Sequence, residues 1–147
     1  MKVNDIITLQ SLCYPPELQE SSETLQAIVD CKKSYFCYED DILIGYLLCH
    51  YASKPPKLNT FETEGDILFI HDLAVHPNYR NKNVATNLLK NISEPCMLLS
   101  LPHAYEFWQK MGFTEVPEKL DPEIQNSYGH KVIWMKRLNL LKTTPSV

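Results

Sequence analysis

Apolar and polar positions recur along the chain regularly enough to divide it into elements. Val3–Leu9 is short and apolar and predicts a first strand. The double proline of Cys13-Tyr14-Pro15-Pro16-Glu17-Leu18 cannot sit inside a helix, so this segment predicts a loop that enters one. After a polar start at Ser22, Leu25, Ile28 and Val29 recur at helical spacing. Ser34–Glu39 and Ile42–Tyr51 predict a hairpin joined at Asp40-Asp41. Asp66–His76 is a further strand, ended by Pro77. Val84–Ile92 predicts a helix with Val84, Leu88 and Leu89 on one side, and Met97–Leu99 a brief buried strand. Pro102 fits the first turn of a helix running to Met111, with Gly112 as its C-cap. Phe113–Val116 and Lys131–Leu138 close as strands, with Tyr128 in the loop between them. The order β-α-β-β-β-α-β-α-β-β predicts an α/β fold with a mixed sheet.

A length of 147 residues suits one domain, spanning 1–147. The longest uncharged apolar stretches, such as Ile42–Tyr51, are about half of what a membrane-spanning helix needs. No apolar signal stretch follows the N-terminus, and the five cysteines lack Cys-x-x-Cys or zinc spacing. Reduced thiols, a cytoplasmic location, no membrane and no metal are the resulting expectations. A net charge of −4 argues against a nucleic-acid partner. The charge is uneven: residues 1–72 hold 5 basic and 12 acidic side chains, residues 73–147 hold 9 and 6. An acidic half beside a mildly basic one suits a cationic substrate and an anionic cofactor.

Candidate chemistry concentrates between residues 69 and 85. A strand runs into a turn, Arg80-Asn81-Lys82-Asn83-Val84-Ala85, and the turn opens a helix. Free backbone N–H groups and the positive end of the dipole meet there, so such a turn can cradle a phosphate. Arg80 and Lys82 add charge, Asn83 tolerates a left-handed backbone, and Ala85 is small enough for close approach. The plainer alternative is an ordinary helix start with two solvated cations. An imidazole is the side chain suited to accept a proton near neutrality, which makes His71 a candidate base. Strand alternation sets it on one face with Phe69, Leu73 and Val75, and Asp72 on the other.

Leu73-Ala74-Val75-x-Pro77-x-x-Arg80, followed by Arg80-x-x-Asn83-x-Ala85, resembles motif A of the GNAT acetyltransferase superfamily. Ala104-Tyr-Glu-Phe107-Trp108-Gln-Lys-Met-Gly112-Phe113 resembles a downstream segment of the same family. The resemblance covers nearly the whole chain. It implies a single-domain mixed sheet with splayed central strands and flanking helices, and acetyl-CoA lying in the opening between those strands. The backbone of Leu73, Ala74 and Val75 would pair with the pantetheine arm, with the Val75 N–H facing the thioester oxygen. Arg80, Asn81, Lys82, Asn83, Val84 and Ala85 would surround the pyrophosphate. An amine would attack directly in a ternary complex. Two positions depart from the family: Asn83 replaces a glycine, and Trp108 stands where many relatives have a tyrosine acid. An indole N–H has no usable proton to give. Either the thiolate leaves without an acid or another group serves, with Tyr128 and Tyr105 as candidates; Trp108 walls the cofactor thiol or an aromatic substrate, or simply packs in the core.

Phe69-Ile-His71-Asp72-Leu-Ala-Val-His also resembles the corresponding strand of the arylalkylamine N-acetyltransferases. So do Tyr14-Pro15-Pro16-Glu17-Leu18, Phe107-Trp108 and Ser127-Tyr128-Gly129. Those enzymes carry two histidines flanking one residue on the strand; here Phe69 takes the first position and His71 the second. The resemblance implies a small primary amine, arylalkylamine- or polyamine-like, as acceptor. Tyr14, Pro15, Glu17 and Phe69 would line its site, in a monomer or homodimer. Two alternatives stand beside this: acetylation of a peptide amine, which needs an open groove, and CoA binding without turnover.

Overall fold

Ile42–Ala52 (β2) is apolar at nearly every position and is buried along almost its whole length. A strand of that composition has to be covered on both faces, and it becomes the backbone of the core. The computed structural model describes residues 3–61 and 64–138. Helices α1 (Val3–Cys13) and α2 (Ser22–Asp30) precede β1 (Tyr35–Glu39) and β2. There follow β3 (Ile67–Val75), α3 (Val84–Leu89), β4 (Cys96–Ser100), α4 (Tyr105–Lys110), β5 (Thr114–Glu115), α5 (Pro122–Tyr128) and β6 (Ile133–Arg137). Six strands form one sheet in the order β1-β2-β3-β4-β6-β5. Only β3 and β4 run parallel; the other neighbours are antiparallel. The chain is a single-domain α/β fold with a mixed sheet and flanking helices, as expected.

The elements differ from expectation at two places. Val3–Leu9 belongs to a helix, not a strand. Ile6 and Leu9 are buried against α2, β2 and β3, with Val3, Ile7 and Cys13 packed beside them. Val3, Ile6 and Ile7 already stand at i, i+3 and i+4, and Gln10 and Cys13 continue the same face. Tyr128 ends a helix instead of lying in a loop. Its start is marked by the Asp121 side chain, which accepts from the Glu123 N–H at 2.9 Å, with Pro122 in the first turn. Its stop is Gly129 in the left-handed conformation, φ 66°.

Two helical layers cover the sheet. Tyr46, Leu48 and Ala74 face α1 and α2 through Ile6, Leu9, Leu25 and Ile28. Ile44, Leu47, Cys49, Leu68 and Ile70 face α3 and α4 through Val84, Leu88, Leu89 and Trp108. Gly45 allows α3 its seat, since a Cβ there would lie 2.7 Å from Val84 Cγ1.

Two irregularities of β3 shape everything that follows. Its parallel pairing with β4 runs from Leu68↔Cys96 to Ile70↔Leu98 and stops, while β3 continues to Val75 and β4 stays paired with β6 along its other edge from Cys96 to Ser100. The central strands therefore splay. The pairing with β2 also shifts register, from Leu48↔Asp72 to Cys49↔Ile70, which leaves His71 as an extra residue. In such a bulge two successive side chains turn to the same face.

Candidate active site

The splay opens a cleft of about 500 Å³. The His76 N–H bonds Ile44 O on β2 at 2.8 Å. Backbone groups alternate along a strand, so the amides of Val75 and Leu73 face the other edge, where no strand pairs with them. Side chains reach the carbonyls of that edge: Tyr14 Oη lies 3.1 Å from Leu73 O, and Arg80 Nε donates to Val75 O at 3.3 Å. Beyond this edge the chain turns through Asn81 and Asn83, both left-handed at φ 64°, and Asn83 caps α3. The left-handed tolerance of asparagine thus has a use here.

Most of the expected cofactor residues line this cleft: Leu73, Ala74, Val75, Arg80, Asn81, Asn83, Val84, Ala85 and Trp108. Lys82 does not; its ammonium lies over the Tyr79 ring, 5.4 Å from the centroid. Trp108 is largely core, edge-on to Phe107 and Phe113 at 5.1 and 5.2 Å. Of the expected acceptor residues, Tyr14 lines the cleft. Pro15 and Glu17 are exposed outside it, Glu17 lying 3.7 Å from His130. Phe69 is buried in a separate apolar cluster with Ala52 and Met97. It shares no face with Leu73 and Val75, because the bulge at His71 breaks the alternation. For the same reason His71 and Asp72 lie on one face, where opposite faces were expected.

The two bulge side chains enter different polar clusters. His71 Nε2 lies 2.7 Å from both Glu20 oxygens, and its Nδ1 lies 3.0 Å from His50 Nε2. His50 Nδ1 lies 3.1 Å from Tyr51 O. A carbonyl only accepts, so His50 Nδ1 donates, and a neutral His50 then accepts at Nε2 from the His71 Nδ1–H. The remaining His71 nitrogen faces a carboxylate and donates as well. This pattern stores one proton more than a carboxylate and two neutral imidazoles hold. The His71 and Glu20 side chains are only 2% and 6% exposed. Glu20 Oε2 also accepts from the Asn59 N–H at 2.8 Å. Both nitrogens of His71, the base the sequence suggested, are engaged in hydrogen bonds, Nε2 with Glu20 and Nδ1 with His50.

Asp72 is bound from two sides by phenols. Tyr14 Oη donates to its Oδ1 at 2.5 Å, and Tyr46 Oη to its Oδ2 at 2.6 Å. Burial pushes its carboxyl up from 3.8 to about 6, against those two hydrogen bonds, which lower it. Burial, then the Asp72 charge, holds the Tyr14 hydroxyl well above the usual tyrosine range.

A strap of residues 56–60 bridges α5 and the start of α2 at the far end of the cleft. The Leu58 N–H donates to Ser127 Oγ at 2.9 Å, and Tyr128 Oη to Pro56 O at 3.3 Å. The Ser21 N–H donates to Asn59 Oδ1 at 2.8 Å, and Lys57 pairs with Glu123 at 2.9 Å. Leu18, Leu58, Tyr128 and Val132 line the cleft here. Tyr128, the expected acid, thus spends its proton on the strap, and burial raises its hydroxyl further above the usual range.

Glu20, His50, Tyr46 and the strap escaped the sequence reading. Glu20 and His50 are separated from His71 by 51 and 21 positions; the pairing of β2 with β3 brings in His50, and the turn ahead of α2 brings in Glu20. Among the described residues, no group of three or more His, Cys, Asp or Glu is arranged to hold a metal ion. No described helix is long and apolar enough to cross a membrane.

Residues 3–113 match the Acetyltransferase (GNAT) family, and the chain belongs to it. The fold is similar to that of the loading GNATL domain of CurA from Lyngbya majuscula, at TM-score 0.71 and 16% identity, over 95% of this chain and 94% of that one. It is also similar to an aminoglycoside 6'-N-acetyltransferase complexed with coenzyme A, at TM-score 0.66 and 17% identity, over 92% and 89%. The NatB acetyltransferase complex bound to CoA and MES gives TM-score 0.66 and 15% identity, over 95% and 96%. No curated protein matches the chain.

Proposed function

We propose that the protein transfers an acetyl group from acetyl-CoA to the primary amine of a small molecule with an apolar or aromatic body. The donor half of this reading rests on the open edge of β3. Its Leu73 and Val75 amides are available to a pantetheine arm, and the left-handed turn at Arg80–Asn83 suits the diphosphate. The Val75 N–H then faces the thioester oxygen, where one preorganised donor contributes a few kcal/mol to catalysis. Relatives with bound CoA support the same reading.

The strap carries the acceptor half. A peptide acceptor needs a groove that stays open for a chain. Here residues 56–60 are tied to Glu20, Ser21, Ser127 and Glu123 across that end. The walls that remain, Tyr14, Leu18, Leu58 and Tyr128, suit an arylalkylamine better than a polyamine. Orientation of the two substrates then supplies much of the rate.

Calorimetric titration with acetyl-CoA and with acetyl-pantetheine tests the donor site. Binding that weakens sharply without the nucleotide phosphates is expected; no binding of acetyl-CoA at millimolar concentration overturns it. Thiol release with arylalkylamines, polyamines and short peptides tests the acceptor. Faster turnover of peptides than of arylalkylamines overturns the small-amine reading.

A further inference from the structure

A primary alkylamine is protonated at neutral pH and must lose a proton before it can attack. The residue expected to take that proton, His71, has both ring nitrogens engaged and already shares the cluster's stored proton with Glu20. Another acceptor is required on the cleft wall.

Resting on the acetyltransfer reading, we propose that Tyr14 and Asp72 form a two-step proton relay, with Tyr14 Oη touching the amine and Asp72 receiving the proton behind it. Tyr14 lines the cleft, and its oxygen stands 3.1 Å from Leu73 O on the open edge of β3. The phenol has one hydrogen, and that hydrogen points to Asp72 Oδ1 at 2.5 Å. Among the described residues no donor reaches the Tyr14 oxygen, so its lone pairs are open to an ammonium N–H. Tyr46 holds the opposite carboxylate oxygen at 2.6 Å from beneath, outside the cleft.

The protons balance. An ammonium gives up two on becoming an amide. The first passes to Tyr14 Oη while the phenol's own proton shifts to Asp72 Oδ1, and Asp72 returns it to solvent between turnovers. The amine nitrogen then bonds to the thioester carbon, the carbon–sulfur bond breaks with its electrons on sulfur, and the second proton leaves with the thiol. Asp72 is suited to this task, since a carboxyl lifted to about 6 is ionised at neutral pH yet far more basic than an ordinary one. The titratable groups around it are Tyr14 and Cys13 from the α1 side, Glu20 ahead of α2, Tyr46 on β2, His71 on β3 and Tyr128 on α5. Glu20 raises the carboxyl and His71 lowers it, so the two act on Asp72 in opposite directions.

The test compares wild type, Tyr14→Phe, Asp72→Asn and Tyr46→Phe on two amines of the same body. One is an alkylamine; the other is its alkoxyamine analogue, already neutral at assay pH. Tyr14→Phe is expected to lose roughly 100-fold in kcat on the alkylamine and only a few-fold on the alkoxyamine. Asp72→Asn should abolish the acidic limb of the kcat/KM profile, which wild type shows near pH 6. Tyr46→Phe removes a bond that favours the carboxylate and should move that limb to higher pH. Carbon NMR of the Asp72 carboxyl in the protein alone reads the same shift without turnover. Equal losses on both amines, or an Asp72 carboxyl that titrates near 4, would overturn the relay while leaving acetyltransfer intact. A wild-type protein that binds acetyl-CoA but acetylates neither amine overturns both.

Discussion

Two neighbouring side chains on one β-bulge, His71 and Asp72, are buried on the same face and meet opposite fates. The His71 cluster is closed: Glu20, His50, Asn59 N–H and Tyr51 O satisfy one another, and its charges cancel. The Asp72 cluster is unbalanced: a carboxylate faces two phenols, and among the described residues no cation is bonded to it. A closed network organises structure, whereas an unbalanced one keeps a proton acceptor poised. A titratable residue that faces a cleft is therefore not a base by that fact alone. Its hydrogen-bond partners decide whether it has anything left to exchange.

The comparison breaks most visibly if His71 is removed. His71→Ala leaves Glu20 buried beside one backbone N–H and no counter-ion. Losing one member of a buried pair costs roughly 3–5 kcal/mol. Urea unfolding should register that loss, and the double change Glu20→Gln with His71→Gln should recover much of it. If His71→Ala keeps its stability and only loses turnover, the two clusters have exchanged roles.

Asp72→Asn acts in the other direction. The folded protein holds this carboxyl at about 6 against 3.8 when unfolded. Below about pH 4 both states are protonated and the group costs nothing. As pH rises towards 6 the unfolded chain ionises first, so stability falls, and above 6 the cost stays constant. A shift of that size corresponds to about 3 kcal/mol at most. Asp72→Asn should therefore melt higher than wild type at pH 7, with the gap closing towards pH 4, while its turnover drops. A gain in stability paired with a loss of activity is the mark of a residue retained for function. A lower melting temperature at pH 7 would instead make Asp72 a structural anchor.

Much of this arrangement was legible in the sequence, and the limits are physical. The strand from Ile67 to Val75, the turn at Arg80–Ala85 and the left-handed Asn83 follow from local chemistry and from the resemblance to the family. The helix over Val3–Cys13 was readable: Val3, Ile6 and Ile7 recur at i, i+3 and i+4 between Asn4, Asp5 and Thr8, a spacing missed when the segment is taken as one apolar run. The face assignment of His71 fails because a bulge is a property of two strands, and period-two counting on one strand cannot register it. Glu20 and Asn59 carry no local mark at all. They become functional through a turn and a strap that meet only in the folded chain.

The strap offers a smaller test. Asn59 sits at φ 60°, so glycine fits the backbone there, but Asn59→Gly removes the Oδ1 acceptor for the Ser21 N–H. One such bond contributes about 1 kcal/mol. The acceptor end should loosen: KM for the amine rises several-fold, acetyl-CoA affinity holds, and short peptides gain relative turnover. An unchanged amine KM would separate the strap from acceptor choice.

The smallest effect is expected at His50, and it locates the stored proton. A glutamine amide at this position can donate to Tyr51 O and accept from the His71 Nδ1–H, reproducing these two bonds of a neutral His50. If the proton resides between His71 and Glu20, His50→Gln should change stability by less than about 1 kcal/mol. Nitrogen NMR should then find both ring nitrogens of His71 protonated in the variant and in wild type. If the proton instead resides on His50, the variant must lose it. His71 would then show one bare nitrogen, and a bare nitrogen is a base. In that case the closed cluster opens, and the contrast with Asp72 reduces to a difference in which of two buried groups the amine can reach.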